Sequence, residues 1–144
     1  MKSKQELEND FHWWITCIPD NIDYLEKLIP EKINSQLDFS VGSLHYVGKY
    51  LVETETLDSI KKNIDLWNAF ASYIGVVYEK NVPTAKWYVE LEDERNLYYG
   101  VPALRTDAKT NFYPQFEITT MLDRKRPELL EIMIKKHIEL QNPI

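Results

Sequence analysis

Residues 57–91 read LDSIKKNIDLWNAFASYIGVVYEKNVPTAKWYVEL, and a change of period inside this stretch decides the fold. Leu57, Ile60, Ile64, Trp67, Phe70, Ala71, Ile74 and Tyr78 recur at steps of three and four, the spacing of one side of an α-helix. The opposite side carries Asp58, Lys61, Lys62, Asp65, Asn68 and Glu79, groups that stay solvated at little cost. One long helix is therefore expected from Leu57 to Tyr78. Gly75 sits inside it at a cost of about 1 kcal/mol relative to alanine, which points to close approach of a neighbouring element. Pro83 and Thr84 end the helix, and the period drops to two. Trp87, Val89 and Leu91 then point one way, with Lys86, Tyr88, Glu90 and Glu92 the other.

Working outward toward the start, Ser3-Lys4-Gln5-Glu6 is a capping box that predicts a helix carrying Leu7, Phe11, Trp14, Ile15 and Ile18, stopped at Pro19. Asp20 is the expected cap of a second helix, with Ile22, Leu25, Leu28 and Ile29 inside and a stop near Pro30. Residues 31–38 have weak periodicity and read as connector. Ser40 is the candidate cap of a third helix with Leu44, Val47, Tyr50 and Leu51 on its apolar side and His45 and Lys49 off it. The polar break at Thr54–Thr56 makes this helix and the long one expected antiparallel neighbours.

Toward the end, the strand 86–92 is followed by polar Asp93-Glu94-Arg95-Asn96 and by a second extended run, Leu97-Tyr98-Tyr99-Gly100-Val101, which together predict a β-hairpin. Pro102 is expected to stop the second strand. A loop over 106–111 leads to a third short strand near Phe112 and Tyr113. Pro114 opens a helix with Phe116, Thr120, Met121 and Asp123, and Arg124-Lys125-Arg126 separates it from a last helix begun at Pro127. The apolar side of that helix is Leu130, Met133, Ile134 and Ile138, with Lys135, Lys136 and His137 placed to match the helix dipole.

The expected fold class is α+β: a helical N-terminal half with a long central helix, a small antiparallel sheet, and a C-terminal helix packed back on it. At 144 residues, one domain over 1–144 is expected. The core should take Trp14, Trp67, Phe70, Ile74, Trp87, Val89, Phe116, Met121, Leu130 and Met133, leaving Trp13 partly outside.

Composition excludes several classes of function. A net charge of −6 argues against nucleic acid, whose affinity rests on neutralised phosphates, and favours a basic protein partner. The single Cys17 forms no intrachain disulfide, and no run of about 18 apolar residues suggests a membrane span. Met1 to Glu6 leads into no signal-peptide core, so the reading is a cytoplasmic protein without a membrane segment. Four glycines cannot assemble a phosphate loop or dinucleotide pattern, and no nucleotide cofactor is expected. His12, His45 and His137 have no ligand at an established zinc spacing, so no metal is expected either. Cys17 lacks a local signature of a nucleophile and reads as a small buried hydrophobe. Glu53 with Glu55, and Glu90 with Glu92, could be acid and base pairs, yet a solvated face requires the same pattern.

One grouping stands above that background. Tyr88, Glu90 and Glu92 share a face, the turn adds Asp93 and Glu94, and Tyr98 is the expected cross-strand neighbour. Aromatic area framed by carboxylates suits a basic protein partner, although a sheet face open to water would look the same. A second constellation, His45, Tyr73, Tyr78 and Tyr99, could line a pocket between the long helix and the sheet, the alternative being a small-ligand-binding domain or an enzyme. Exposed Trp13 or Tyr98 could instead serve self-association of a structural subunit.

Ser40 to Leu51, Ala71-Ser72-Tyr73-Ile74-Gly75, Trp87, Gly100 with Pro102, and Pro114 before a final amphipathic helix resemble a loose group of small, mostly uncharacterised bacterial domains. The resemblance spans residues 38–135 and departs where Thr84-Ala85-Lys86 stands in place of a glycine pair before Trp87. Some members of the group look like immunity or accessory proteins encoded near secreted toxins. The resemblance brings no catalytic residues. It implies an immunity-like or accessory role, and together with the acidic charge the leading expectation is a non-enzymatic protein-binding domain that neutralises or regulates a basic partner.

Overall fold

A computed structural model describes residues 1–141. The capping box forms as expected: the Glu6 N–H donates to Ser3 Oγ at 3.2 Å and the Ser3 N–H donates to the Glu6 carboxylate at 3.3 Å, opening α1, Lys4–Thr16. The chain turns at Cys17 into α2, Ile18–Leu28, with Pro19 in the first turn, where its missing N–H is not needed. Asp20 is therefore not the cap but part of the first turn, and Leu28 lies on the outer side, 43% exposed. Part of the expected connector is a short helix, α3, Glu31–Asn34. Ser40 does cap: its Oγ accepts from the Ser43 N–H at 3.1 Å and starts a 3-10 turn, Val41–Ser43, leading into α4, Leu44–Thr54.

The expected long helix is two helices. Thr56 caps α5, Leu57–Lys61, and the backbone leaves helical geometry at Asn63, φ −121° and ψ 75°. Asn63 Oδ1 accepts from the Leu66 N–H at 3.2 Å and starts α6, Ile64–Asn81. A short polar side chain that satisfies the backbone outside a helix is what makes such a restart favourable. The restart leaves Ile64, placed in the apolar stripe by its spacing, 62% exposed, while Leu66 goes inside.

From Ala69 to Gly75 every residue of α6 is buried, so the helix is surrounded there and not merely covered along one stripe. α2 packs on it, and so does α7, Pro114–Arg124. Polar links fix these contacts: Trp67 Nε1 donates to Gln115 O at 2.9 Å, and Asn21 Nδ2 to Ser72 Oγ at 3.1 Å. Asn68 Oδ1 accepts from Trp14 Nε1 at 3.2 Å and from Gln115 Nε2 at 2.8 Å. α4 was expected to pair with the long helix. It packs instead mainly on α7 and α8, Leu129–Gln141, and reaches α6 through Tyr50 against Phe70. Gly48 allows this: a Cβ there would stand 2.1 Å from the Pro127 carbonyl oxygen.

After α6, Thr84 at φ 64° turns the chain into β1, Lys86–Tyr88, and its hydroxyl accepts from the Asp107 N–H at 2.9 Å. The strand stops at Tyr88, short of the expected Glu92. Its partner is not the 97–101 run but β2, Ala103–Arg105, which begins directly after Pro102, so the proline opens the strand that it was expected to stop. β3, Asn111–Phe112, completes an antiparallel sheet of order β1-β2-β3. The register aligns Trp87 with Leu104 and Leu104 with Phe112, a row that faces the core.

Lys125, at φ 54°, ends α7, and α8 starts at Leu129, beyond Pro127. Leu129, Leu130 and Ile134 are buried against the rest. His137 is buried too, not a cation at the helix end: its Nδ1 lies 2.7 Å from Tyr78 Oη, beside the Phe112 ring. Phe116, assigned to the core by period, is 36% exposed, and Trp13 is 69% exposed as expected. Among the described residues no helix is long and apolar enough to cross a membrane.

Candidate functional site

The loop 89–101 is built from its own polar side chains. Asp93 Oδ1 accepts from the Arg95 N–H at 3.0 Å and Asn96 Oδ1 from the Tyr98 N–H at 2.8 Å, each an i to i+2 turn of the kind these residues favour. The Gly100 N–H donates to Glu90 O at 2.9 Å, and Gly100 holds φ 75°, a left-handed conformation open to glycine at no steric cost. Leu97–Val101 is therefore a run of turns joined to residue 90 by one bridge, and the hairpin expectation fails because backbone demand is met within the loop.

Glu90 serves the loop with both oxygens: Oε1 accepts from Tyr88 Oη at 3.4 Å and Oε2 from the Glu92 N–H at 3.1 Å. Glu92 reaches back to α1, where Lys4 Nζ lies 2.6 Å from its carboxylate. That hydrogen bond, with the carboxylate charge behind it, raises the Lys4 pKa. Glu92, Asp93 and Glu94 are all exposed, as are Arg95, Asn96 and Leu97.

Tyr98 does not sit across a hairpin from Tyr88. It stacks on Tyr113, with ring centroids 4.0 Å apart and planes at 15°, and meets Phe116 edge-on at 5.3 Å. The Tyr113 hydroxyl accepts from Asn111 Nδ2 at 3.3 Å; burial raises its pKa, the Asn111 bond opposes this, and nearby Tyr88, Tyr98 and Glu90 add to it. On the same outer sheet face the Arg105 guanidinium lies over the Tyr88 ring, 4.6 Å from the centroid. The structure thus brings Tyr88, Glu90 and Tyr98 together around Tyr113, with Glu92, Asp93 and Glu94 on the exposed side of their loop.

Sequence reasoning missed Tyr113, Phe116 and Arg105 as parts of this face. Tyr113 and Phe116 straddle Pro114, and the aromatic pair flanking a helix-opening proline was the available signal. Arg105 carries no local signal, because its position follows from the non-local pairing of β1 with β2.

The second constellation is not gathered. Tyr73 is buried, bonded to Ser43 Oγ at 2.8 Å and to the Phe39 N–H at 3.0 Å, and its pKa is raised chiefly by burial. Tyr78 is buried against Phe112 and His137, and burial raises its pKa strongly. Tyr99 is in the loop, bridged to Glu90. His45 is exposed on α4, 3.8 Å from Glu131, and lines a separate cavity with Lys49, Val52, Glu53, Pro127 and Glu128. The carboxylate pairs also separate by role: Glu55 accepts from Ser59 Oγ at 3.0 Å at the start of α5, while Glu53 faces grooves along α4.

Comparison of the chain with protein-family models, with curated proteins and with solved structures gives no significant match.

Proposed function

We propose that this chain is a non-enzymatic protein-binding domain of the bacterial cytoplasm that regulates or neutralises a basic partner by covering it with the acidic, aromatic face of the 88–98 loop. One observation carries the reading: exposed Glu92, Asp93 and Glu94 belong to a loop whose Tyr98 is already stacked on Tyr113 and flanked by Phe116. A rigid aromatic shelf contributes contact area at low entropic cost, and carboxylates on its loop steer a cationic surface onto it. The net charge of −6 extends that steering over the whole molecule. An immunity protein acting on a secreted toxin is the regulator that best combines this face with the resemblance described above.

The test is affinity capture from host lysate with the full chain and with a Glu92→Lys/Glu94→Lys variant. Both side chains are exposed, and because Glu92→Lys also removes the surface ion pair to Lys4, a melting curve of the variant accompanies the capture. One stoichiometric basic partner retained by the native chain and lost by the variant supports the reading. An equal yield from both baits removes the face from it, and an empty capture removes the partner.

A further inference from the structure

A second feature lies apart from the acidic face, in a groove between α3 and α4. It has a volume of about 270 Å³ and is lined by Lys32, Ile33, Gln36, Tyr46, Lys49, Tyr50 and Glu53. One wall is a face of α4, with Tyr46 and Tyr50 one turn apart, and the other is α3 with the turn that follows it, which bring Lys32, Ile33 and Gln36 to the groove. Tyr50 is anchored from below, its ring 6.1 Å from that of the buried Phe70. Tyr46 is 37% exposed and forms an open aromatic side. Among the described residues neither Lys32 nor Lys49 has a carboxylate within ion-pair distance. Two ammonium groups against the single carboxylate of Glu53 make this a locally cationic groove on an acidic chain.

We infer that this groove binds a small aromatic monocarboxylate, with its ring against Tyr46, Tyr50 and Ile33 and its carboxylate toward Lys32 and Lys49. Its volume falls just under the roughly 300–1,000 Å³ of sites for drug-sized ligands, which suits a one- or two-ring molecule. Apolar walls supply area, and the paired cations fix which end of the ligand faces solvent. Glu53 disfavours a second negative charge, so a monoanion binds better than a dianion. The larger cavity beside α5 and α7 offers no such combination: Glu55, Asp58 and Asp123 line it with Lys125, and no aromatic wall is present.

The experiment is an amide ¹H–¹⁵N NMR titration of the full chain with 2-naphthoate, and with 2-naphthamide as the neutral isostere. The expected result is saturable shifts centred on Ile33, Gln36, Tyr46 and Tyr50. Affinity should fall roughly three- to ten-fold for the amide, and by a similar factor in a Lys32→Met/Lys49→Met variant, which removes two exposed charges and keeps apolar stems. Absence of saturable shifts at millimolar ligand overturns the site. Equal affinity for acid and amide overturns the carboxylate assignment, and shifts centred on the 88–98 loop place binding elsewhere. The partner reading does not depend on any of these outcomes.

Discussion

Gly75 lies directly against the indole of Trp87: a Cβ at this position would stand 2.3 Å from Cη2 and 2.8 Å from Cζ2. The missing side chain is what lets the sheet close on α6. Gly75→Ala would recover about 1 kcal/mol of helix propensity but must displace a ring that also packs on Trp14 at 5.3 Å. Overpacking of this kind costs about 1–3 kcal/mol, so a net loss near 1 kcal/mol is expected in denaturant titration. Gly48→Ala should be worse, about 3 kcal/mol or more, because the obstacle is the Pro127 backbone oxygen, which cannot rotate away. Gly42, where a Cβ would meet Ser40 Oγ at an ordinary contact distance of 3.9 Å, should accept alanine within about 0.5 kcal/mol.

The buried His137 makes the fold sensitive to acid. Burial, and then the charge of Lys136, lower its pKa below the ordinary 6.5. Below 6.5 the unfolded chain binds the proton that the folded chain resists. Its stabilising contribution is therefore complete above 6.5 and is lost as pH falls from 6.5 toward the folded value. Thermal unfolding measured across this range should show Tm falling on acidification more steeply for the native chain than for His137→Gln. Parallel curves would remove the residue from the account.

Glu117 works in the opposite sense. Burial raises its pKa, with Arg124 opposing, so the folded state favours the neutral carboxyl. That contribution is complete below the ordinary value of 4.5 and is lost as pH rises through the folded value, leaving a partly desolvated charge at neutrality. Glu117→Gln should therefore raise Tm at neutral pH and lose this advantage in acid, which a pair of melting curves would check.

The helical half was legible because its signals are local. Ser3 and Ser40 stand at helix starts with their partners three residues on, and Gly75 announces a close neighbour through its cost alone. Reading failed where a side chain served the backbone. Asn63 divides the long helix and turns Ile64 outward, and Asp93, Asn96 and Glu90 build a loop where alternation suggested a hairpin. It also failed where distant pairing decides the outcome, as in β1 with β2, which places Arg105 over Tyr88. Phe116 has core spacing, yet its neighbour in space is Tyr98 in the loop and not the core. The acidic half of the candidate face was thus visible in residues 90–94, and the aromatic half required the fold.

Tyr98 allows the stability of the face to be separated from its use. Tyr98→Ala removes one stacked and one edge-on ring contact, worth about 0.5–1.5 kcal/mol each, and should lower Tm modestly. If Tyr98 anchors a partner, affinity should fall by at least about 2 kcal/mol, as at interface hot spots. Calorimetric binding with the captured partner, beside a melting curve, separates the two.

The most direct test of the central claim is hydrogen–deuterium exchange on the chain alone and with its captured partner. The account predicts new protection of amides over 88–99 and around 113–116, with the face of α3 and α4 unchanged. Protection confined to other elements, with the 88–99 loop exchanging as in the free chain, would contradict it.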